Sequence, residues 1–229
     1  MSPPSVRCFW AVRPPEPNLE QIGRLVRVLK RPLADCGLKV GWVGPESYHL
    51  TLKFLGEVAE GRLGEMTARV EAQLSAVVRP AVPQLTLAGL GVFPGLHRPQ
   101  VVFLGAGSPG AELAERAELA ELAELMDLQA RLESCLAELG YARDPRPFHP
   151  HLTLGRVRAA RPLAPAEQPA LHELLQRYPE PQGPAFPITE LVLYESRATP
   201  QGPSYIPLAR LPLPIRPEPP ASSGQAPAA

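Results

Sequence analysis

Apolar positions along the first half of the chain alternate between strand and helix rhythms. Val6 to Val12 (Val-Arg-Cys-Phe-Trp-Ala-Val) reads as a strand closed by Pro14 and Pro15. Asn18 is a fair N-cap for a helix carrying Ile22, Leu25, Val26 and Leu29 at helical spacing, which Pro32 is expected to stop or kink. Leu38 to Val43 predicts a strand, and Gly44-Pro45-Glu46-Ser47 a turn. A third strand follows from Tyr48 through Leu55 and ends at Gly56. Leu63, Met66, Val70 and Leu74 predict an amphipathic helix within 60–78, ended by Pro80 and Pro83. Leu85 to Leu90 and Val101 to Leu104 read as strands around the loop 91–99.

The second half repeats the order with one anomaly. A long helix is predicted over about 111–139, ended by Gly140. Its later half is regularly amphipathic (Leu128, Leu132, Cys135, Leu136, Leu139), and Asp127 and Glu133 are assigned to its solvated face. In its earlier half Leu113, Leu119, Leu122, Leu125 and Leu128 keep a three-residue rhythm within Ala-Glu-Leu units. Each step of three falls about 60° short of a full helical turn, so these leucines spiral and cannot all face one core. The segment reads as a low-complexity expansion of a helix; sustained heptads for a coiled coil are absent. A strand at His151–Val157, a short helix within 165–178, and strands at 187–196 and 205–211 follow. The short connections favour antiparallel pairing and an α+β fold. One domain is expected over 1–211, an approximate duplication, with a disordered Pro/Ala/Ser-rich tail over 212–229.

Composition narrows the partners. With 23 basic and 23 acidic residues the net charge is zero, so no global field points to nucleic acid or membrane, and any anion site must be local. Cys8, Cys36 and Cys135 are scattered, which gives neither a disulfide framework nor a zinc spacing. A reduced, cytoplasmic setting is expected, and no apolar run reaches transmembrane length. The 31 prolines and the excess of arginine over lysine fit a GC-rich genome or heat tolerance alike.

The candidate chemistry lies in a repeated tetrapeptide, His49-Leu-Thr-Leu52 and His151-Leu-Thr-Leu154. In a strand, residues i and i+2 share a face, so each His sits beside its Thr with the leucines behind. Histidine gives or takes a proton near neutrality, and two of them allow one acid and one base. The threonine hydroxyls suit the non-bridging oxygens of a phosphodiester, and the Arg156 fork suits phosphate or a base. Arg143 and Arg146 add local positive charge. A single copy of the motif would be an ordinary half-buried strand; the second copy, one per half, is what favours a site. His97 and His172 read as loop and helix-surface residues, and His149 as peripheral. A metal would need further ligands that neither motif offers, so a metal-free site without cofactor is preferred.

These residues resemble a 2H phosphoesterase, specifically the bacterial and archaeal RNA 2′,3′-cyclic phosphodiesterase group, formerly called 2′-5′ RNA ligases. The likeness runs from Val6 to Leu211. It includes Arg7-Cys-Phe-Trp-Ala-Val12, His49-Leu-Thr-Leu-Lys-Phe-Leu-Gly56, and Gly91-Val-Phe-Pro94 with Arg98-Pro99. It continues through Arg146-Pro-Phe-His-Pro-His-Leu-Thr-Leu-Gly-Arg156 and Leu193-Tyr-Glu-Ser196, with Gly202 and Tyr205. The resemblance implies a bilobal fold, two pseudo-symmetric antiparallel-sheet lobes with outer helices around a central cleft. It implies metal-independent hydrolysis of a 2′,3′-cyclic phosphate RNA end to a 2′-phosphate. His151 would be the proton acceptor, His49 the proton donor, and Thr51, Thr153 and Arg156 the phosphate or substrate contacts. Phe54, Phe148 and Tyr205 would line the cleft; Tyr194 would be core or cleft wall. RNA with a cyclic-phosphate end is the expected partner, and a monomer the expected state. Two alternatives stay open: a non-catalytic RNA- or nucleotide-binding module on the same fold, and a 2′-5′ linkage ligase or phosphodiesterase.

Overall fold

The computed structural model describes residues 3–76, 83–107, 115–180, 182–199 and 202–213, with only the backbone over 115–121. The elements are β1 (Ser5–Val12), α1 (Glu16–Asp35), β2 (Val40–Trp42), β3 (Leu50–Ala59), α2 (Leu63–Ser75), β4 (Gln84–Leu85), β5 (Leu87–Phe93) and β6 (Val101–Ala106). Then come α3 (Glu115–Glu138), β7 (His151–Val157), α4 (Gln168–Gln176), β8 (Phe186–Pro187), β9 (Glu190–Thr199) and β10 (Gly202–Pro212). Eight strands form one sheet along the path β10-β9-β1-β3-β7-β6-β5, with β2 on β7; β4 and β8 form a separate pair. Every pairing is antiparallel, so the fold is α+β as its short connections imply.

The sheet divides at its middle. β10, β9, β1 and β3 make one set of four; β5, β6, β7 and β2 make the other. The motif strands β3 and β7 join the sets through a single residue pair, Leu50 opposite Leu152. The helices cover one face. Leu19, Ile22 and Leu29 of α1, Met66 and Val70 of α2, Leu132 and Leu136 of α3, and Leu171 of α4 share a core with Trp10, Leu50, Leu52, Leu152 and Leu154. Each such side chain contributes about 1.5–3 kcal/mol when taken out of water. On the opposite face Phe9, Ala11, Val192 and Tyr194 form a second cluster, against which Tyr205 packs. The nearly unbroken apolar run of β1 follows from having cover on both sides.

Several local expectations need correction. Pro15, not Asn18, is the cap of α1; Asn18 lies buried in the first turn, its Nδ2 donating to Pro184 O at 2.8 Å. Pro17 follows in the first turn, where its fixed φ is helical and it brings no orphan N–H. α1 also runs past Pro32 to Asp35. Val28, whose carbonyl loses its helical donor to that ring, is 56% exposed and so lies on the solvent side. β3 continues beyond Gly56 to Ala59, and the strand expected over 187–196 divides into β8 and β9. Glu133 is not solvated: it is 7% exposed and ion-paired with Lys53, Nζ to Oε2 2.8 Å. Among the described side chains of α3, Leu125 and Leu128 are buried, while Leu122 is only half-buried. Residues 111–114, the side chains of Leu113 and Leu119, the helix end at 78–80 and the tail from 214 lie outside the described residues.

Candidate active site

The second leucine of each motif is an extra residue in its strand. Against β1, Thr51 pairs with Ala11 and Lys53 with Trp10, leaving Leu52 unmatched. Against β6, Thr153 pairs with Phe103 and Gly155 with Val102, leaving Leu154 unmatched. Such bulges break the period-2 alternation. His49 and Thr51 share a face with Phe54, and His151 and Thr153 share a face with Arg156. Strict alternation would have given those places to Lys53 and Gly155. Instead Lys53 turns to the helix side, where it meets Glu133 and donates to Ala142 O at 2.6 Å. Gly155 also faces that side, where a Cβ would run into Val40. Leu50, Leu52, Leu152 and Leu154 all lie in the helix-side core, as the motif pattern predicts.

The pairing of Leu50 with Leu152 carries the rest of the geometry. In antiparallel count His49 stands opposite Thr153 and Thr51 opposite His151. The two histidines are therefore diagonal neighbours, roughly 7–8 Å apart at the backbone. Each ring is held alike. Nδ1 of His49 donates to Ser47 O at 2.8 Å, and Nδ1 of His151 donates to His149 O at 2.7 Å. A carbonyl only accepts, so each neutral ring keeps its proton on Nδ1 and offers a lone pair at Nε2. The Thr51 hydroxyl donates to His49 Nε2 at 3.1 Å. Aromatic rings back each imidazole: Phe9 at 4.7 Å and Tyr205 edge-on at 4.8 Å for His49, Phe93 at 4.9 Å and Phe103 at 5.4 Å for His151. Gly91, opposite Phe103, is bare because a Cβ there would enter the Phe103 ring.

These surroundings disfavour the imidazolium. Burial pulls His49 down to about 4, against the Ser47 carbonyl and with help from the charges of Arg13, His151 and Arg156. His151 is lowered too, first by burial, opposed by the His149 carbonyl, and further by His149 and Arg156. Arg156 is exposed and, among the described residues, has no ion-pair partner. The arrangement combines two diagonal imidazoles, two hydroxyls and one guanidinium on a surface that welcomes negative charge. Among the described residues no group of three or more His, Cys, Asp or Glu could hold a metal ion.

Of the expected cleft residues, Tyr205 touches His49, and Phe54 lies 5.7 Å from Phe9 and is 59% exposed. Phe148 instead packs half-buried against the helix-side core. His149 supplies its carbonyl rather than its ring. Sequence reasoning missed Phe9, Phe93 and Phe103, which only strand register brings to the histidines. It also missed Arg13, whose Nη1 donates to Glu46 O at 2.8 Å and Tyr48 O at 3.3 Å, bracketing the residue that holds His49. No helix of the described residues is long and apolar enough to cross a membrane.

Known proteins resemble this chain over most of its length. The RNA 2′,3′-cyclic phosphodiesterase of Aeropyrum pernix is 33% identical over 184 residues, 80% of this chain and 92% of that protein. The enzyme of the same name from Thermus thermophilus is 32% identical over 223 residues, 91% of this chain and 90% of that protein. Among solved structures, TT0787 of Thermus thermophilus superposes with a TM-score of 0.65 at 29% identity, over 90% of this chain and 97% of its own. LigT of E. coli in apo form gives 0.63 at 27% identity, over 92% and 99%, and LigT has also been solved with 3′-AMP. The family model of the 2′-5′ RNA ligase superfamily matches residues 14–200, a span that contains both motif strands, β3 and β7. The chain belongs to the 2′-5′ RNA ligase superfamily.

Proposed function

We propose that this protein hydrolyses the 2′,3′-cyclic phosphate end of RNA to a 2′-phosphate by two-histidine acid–base catalysis without a metal. The observation that carries the reading is the diagonal pair of imidazoles, each fixed by a backbone carbonyl so that Nε2 is the reactive nitrogen. His151 Nε2 takes a proton from water as its oxygen attacks phosphorus. The P–O3′ bond breaks, and the departing 3′ oxygen takes a proton from His49 Nε2. The product keeps the phosphate on the 2′ oxygen. Thr51, Thr153 and Arg156 hold the non-bridging oxygens and oppose their growing charge. For His49 to act, Thr51 must turn from Nε2 to the substrate, which a bound phosphate oxygen favours.

Relatives named for this activity support the reading. The family model's own name favours a second use of the site: with the 5′ hydroxyl of another strand in place of water, the same groups would form P–O5′, break P–O3′ and join a 2′-5′ linkage. Purified protein in EDTA should open a cyclic-phosphate oligonucleotide and leave the phosphate on the 2′ oxygen. His49→Ala and His151→Ala should each lose at least about 100-fold in turnover with unchanged circular dichroism. Full turnover in either variant, or dependence on added metal, overturns the mechanism; binding without turnover in the unmodified protein favours a non-catalytic module.

A further inference from the structure

We propose that Lys39 and Arg158 extend the site into a track for the phosphates that precede the terminal nucleotide of the RNA strand. This rests on reading the site as an RNA cyclic-phosphate hydrolase. The bulge at Leu154 places Arg156 on the face of His151 and Thr153. Two residues on, Arg158 shares that face, while Val157 between them packs into the helix-side core. The antiparallel partner β2 sets Gly41 opposite Arg156, and the Arg158 N–H donates to Lys39 O at 2.7 Å. Lys39 therefore stands opposite Arg158, on the same face.

The side chains reinforce the placement. A Cβ built on Gly41 would stand 2.9 Å from Nε of Arg158 and 3.5 Å from its Nη2. The Arg158 guanidinium thus lies over the bare backbone of Gly41, folded back towards Arg156. Lys39, Arg156 and Arg158 are all exposed. Among the described residues none of the three has a carboxylate partner, although Arg161 close by is held by Glu167 at 2.7 Å. In a chain of zero net charge, three adjacent unneutralised cations make a local site for a polyanion. Successive same-face positions are about 6.6 Å apart, so the cations lead away from the histidines. A nucleotide held by its cyclic phosphate at the histidines continues into the strand through its 5′ oxygen. A lone nucleoside cyclic phosphate has no phosphate to offer this track; an oligonucleotide does.

The test compares the full chain with its Lys39→Gln/Arg158→Gln variant. Affinity for a labelled single-stranded RNA is measured by fluorescence anisotropy across a salt series. Turnover is measured at limiting concentration on a nucleoside 2′,3′-cyclic monophosphate and on an oligonucleotide ending in the same group. The expected result is RNA binding about three- to tenfold weaker, and a log–log salt dependence shallower by about 1.4 for two lost phosphate contacts. Oligonucleotide turnover falls by the same factor and mononucleotide turnover is unchanged. Equal affinity and salt slope in the two proteins, no RNA binding by the unmodified chain, or equal losses on both substrates would overturn the track. If the unmodified protein hydrolyses neither substrate, the assigned reaction fails, and the binding comparison still decides the track.

Discussion

The two histidines share a role in the motif and differ in environment. Burial holds the free His49 near 4 and pulls His151 below its ordinary value of 6.5. At pH 7 only about one His49 in a thousand carries a proton in the free site, so the acid is loaded together with an anionic substrate that stabilises the imidazolium. The sign for activity follows. Catalysis needs one protonated and one neutral ring, and both free-site values lie below 6.5. On a cyclic-phosphate oligonucleotide kcat/KM should therefore peak below pH 6.5 and fall about tenfold per unit on the alkaline side. The alkaline limb of kcat, which reports the substrate-bound site, should lie at higher pH because the phosphate charge raises both histidines. A kcat/KM that climbs from pH 6 to 8 would contradict this account. The pairing of His49 with Thr51 and of His151 with Thr153 was legible from the period of a strand. The depressed titration was not, because it comes from Phe9, Tyr205, Phe93 and Phe103, which arrive from other strands.

Among the elements, β3 joins the site to the helix layer. Its bulge at Leu52 turns Lys53 from the cleft to α3, where its buried side chain meets the buried side chain of Glu133. Gln129 adds a contact from its Nε2 to Leu52 O at 3.5 Å. Removing one member of such a buried pair leaves a charge without a partner, at a cost of about 3–5 kcal/mol. Lys53→Met and Glu133→Leu should each lose that much in urea unfolding, and the double variant should lose clearly less than the sum. Additive losses would show that the two charges are not coupled. Strict alternation would put Lys53 on the face of the histidines, and the pattern of α3 puts Glu133 in solvent. A single bulged residue reverses both, and nothing in local propensity marks where a bulge falls.

For the whole molecule, the sheet is two sets of four strands that meet at Leu50 and Leu152, under a helix layer common to both. We expect the catalytic fold to be complete with β10 and the residue after it. Leu213 is 4% exposed, and its N–H donates to Thr189 O at 2.8 Å. A chain ending at Leu213 should match the melting temperature and turnover of the full chain. One ending at Leu211 should lose about 1.5–3 kcal/mol for that side chain; a loss on truncation at Leu213 would give the tail a structural part. The chain's own pattern determined the α+β class, the order of strands and helices, and the two His-x-Thr strands, because period and turn chemistry are local properties. Tertiary structure alone decided that β3 and β7 become neighbours, that the bulges bring Phe54 and Arg156 to the cleft, and that Lys39 and Arg158 line up beyond it. Those facts depend on which strand hydrogen-bonds to which, and in what register, and register is fixed between segments distant in sequence.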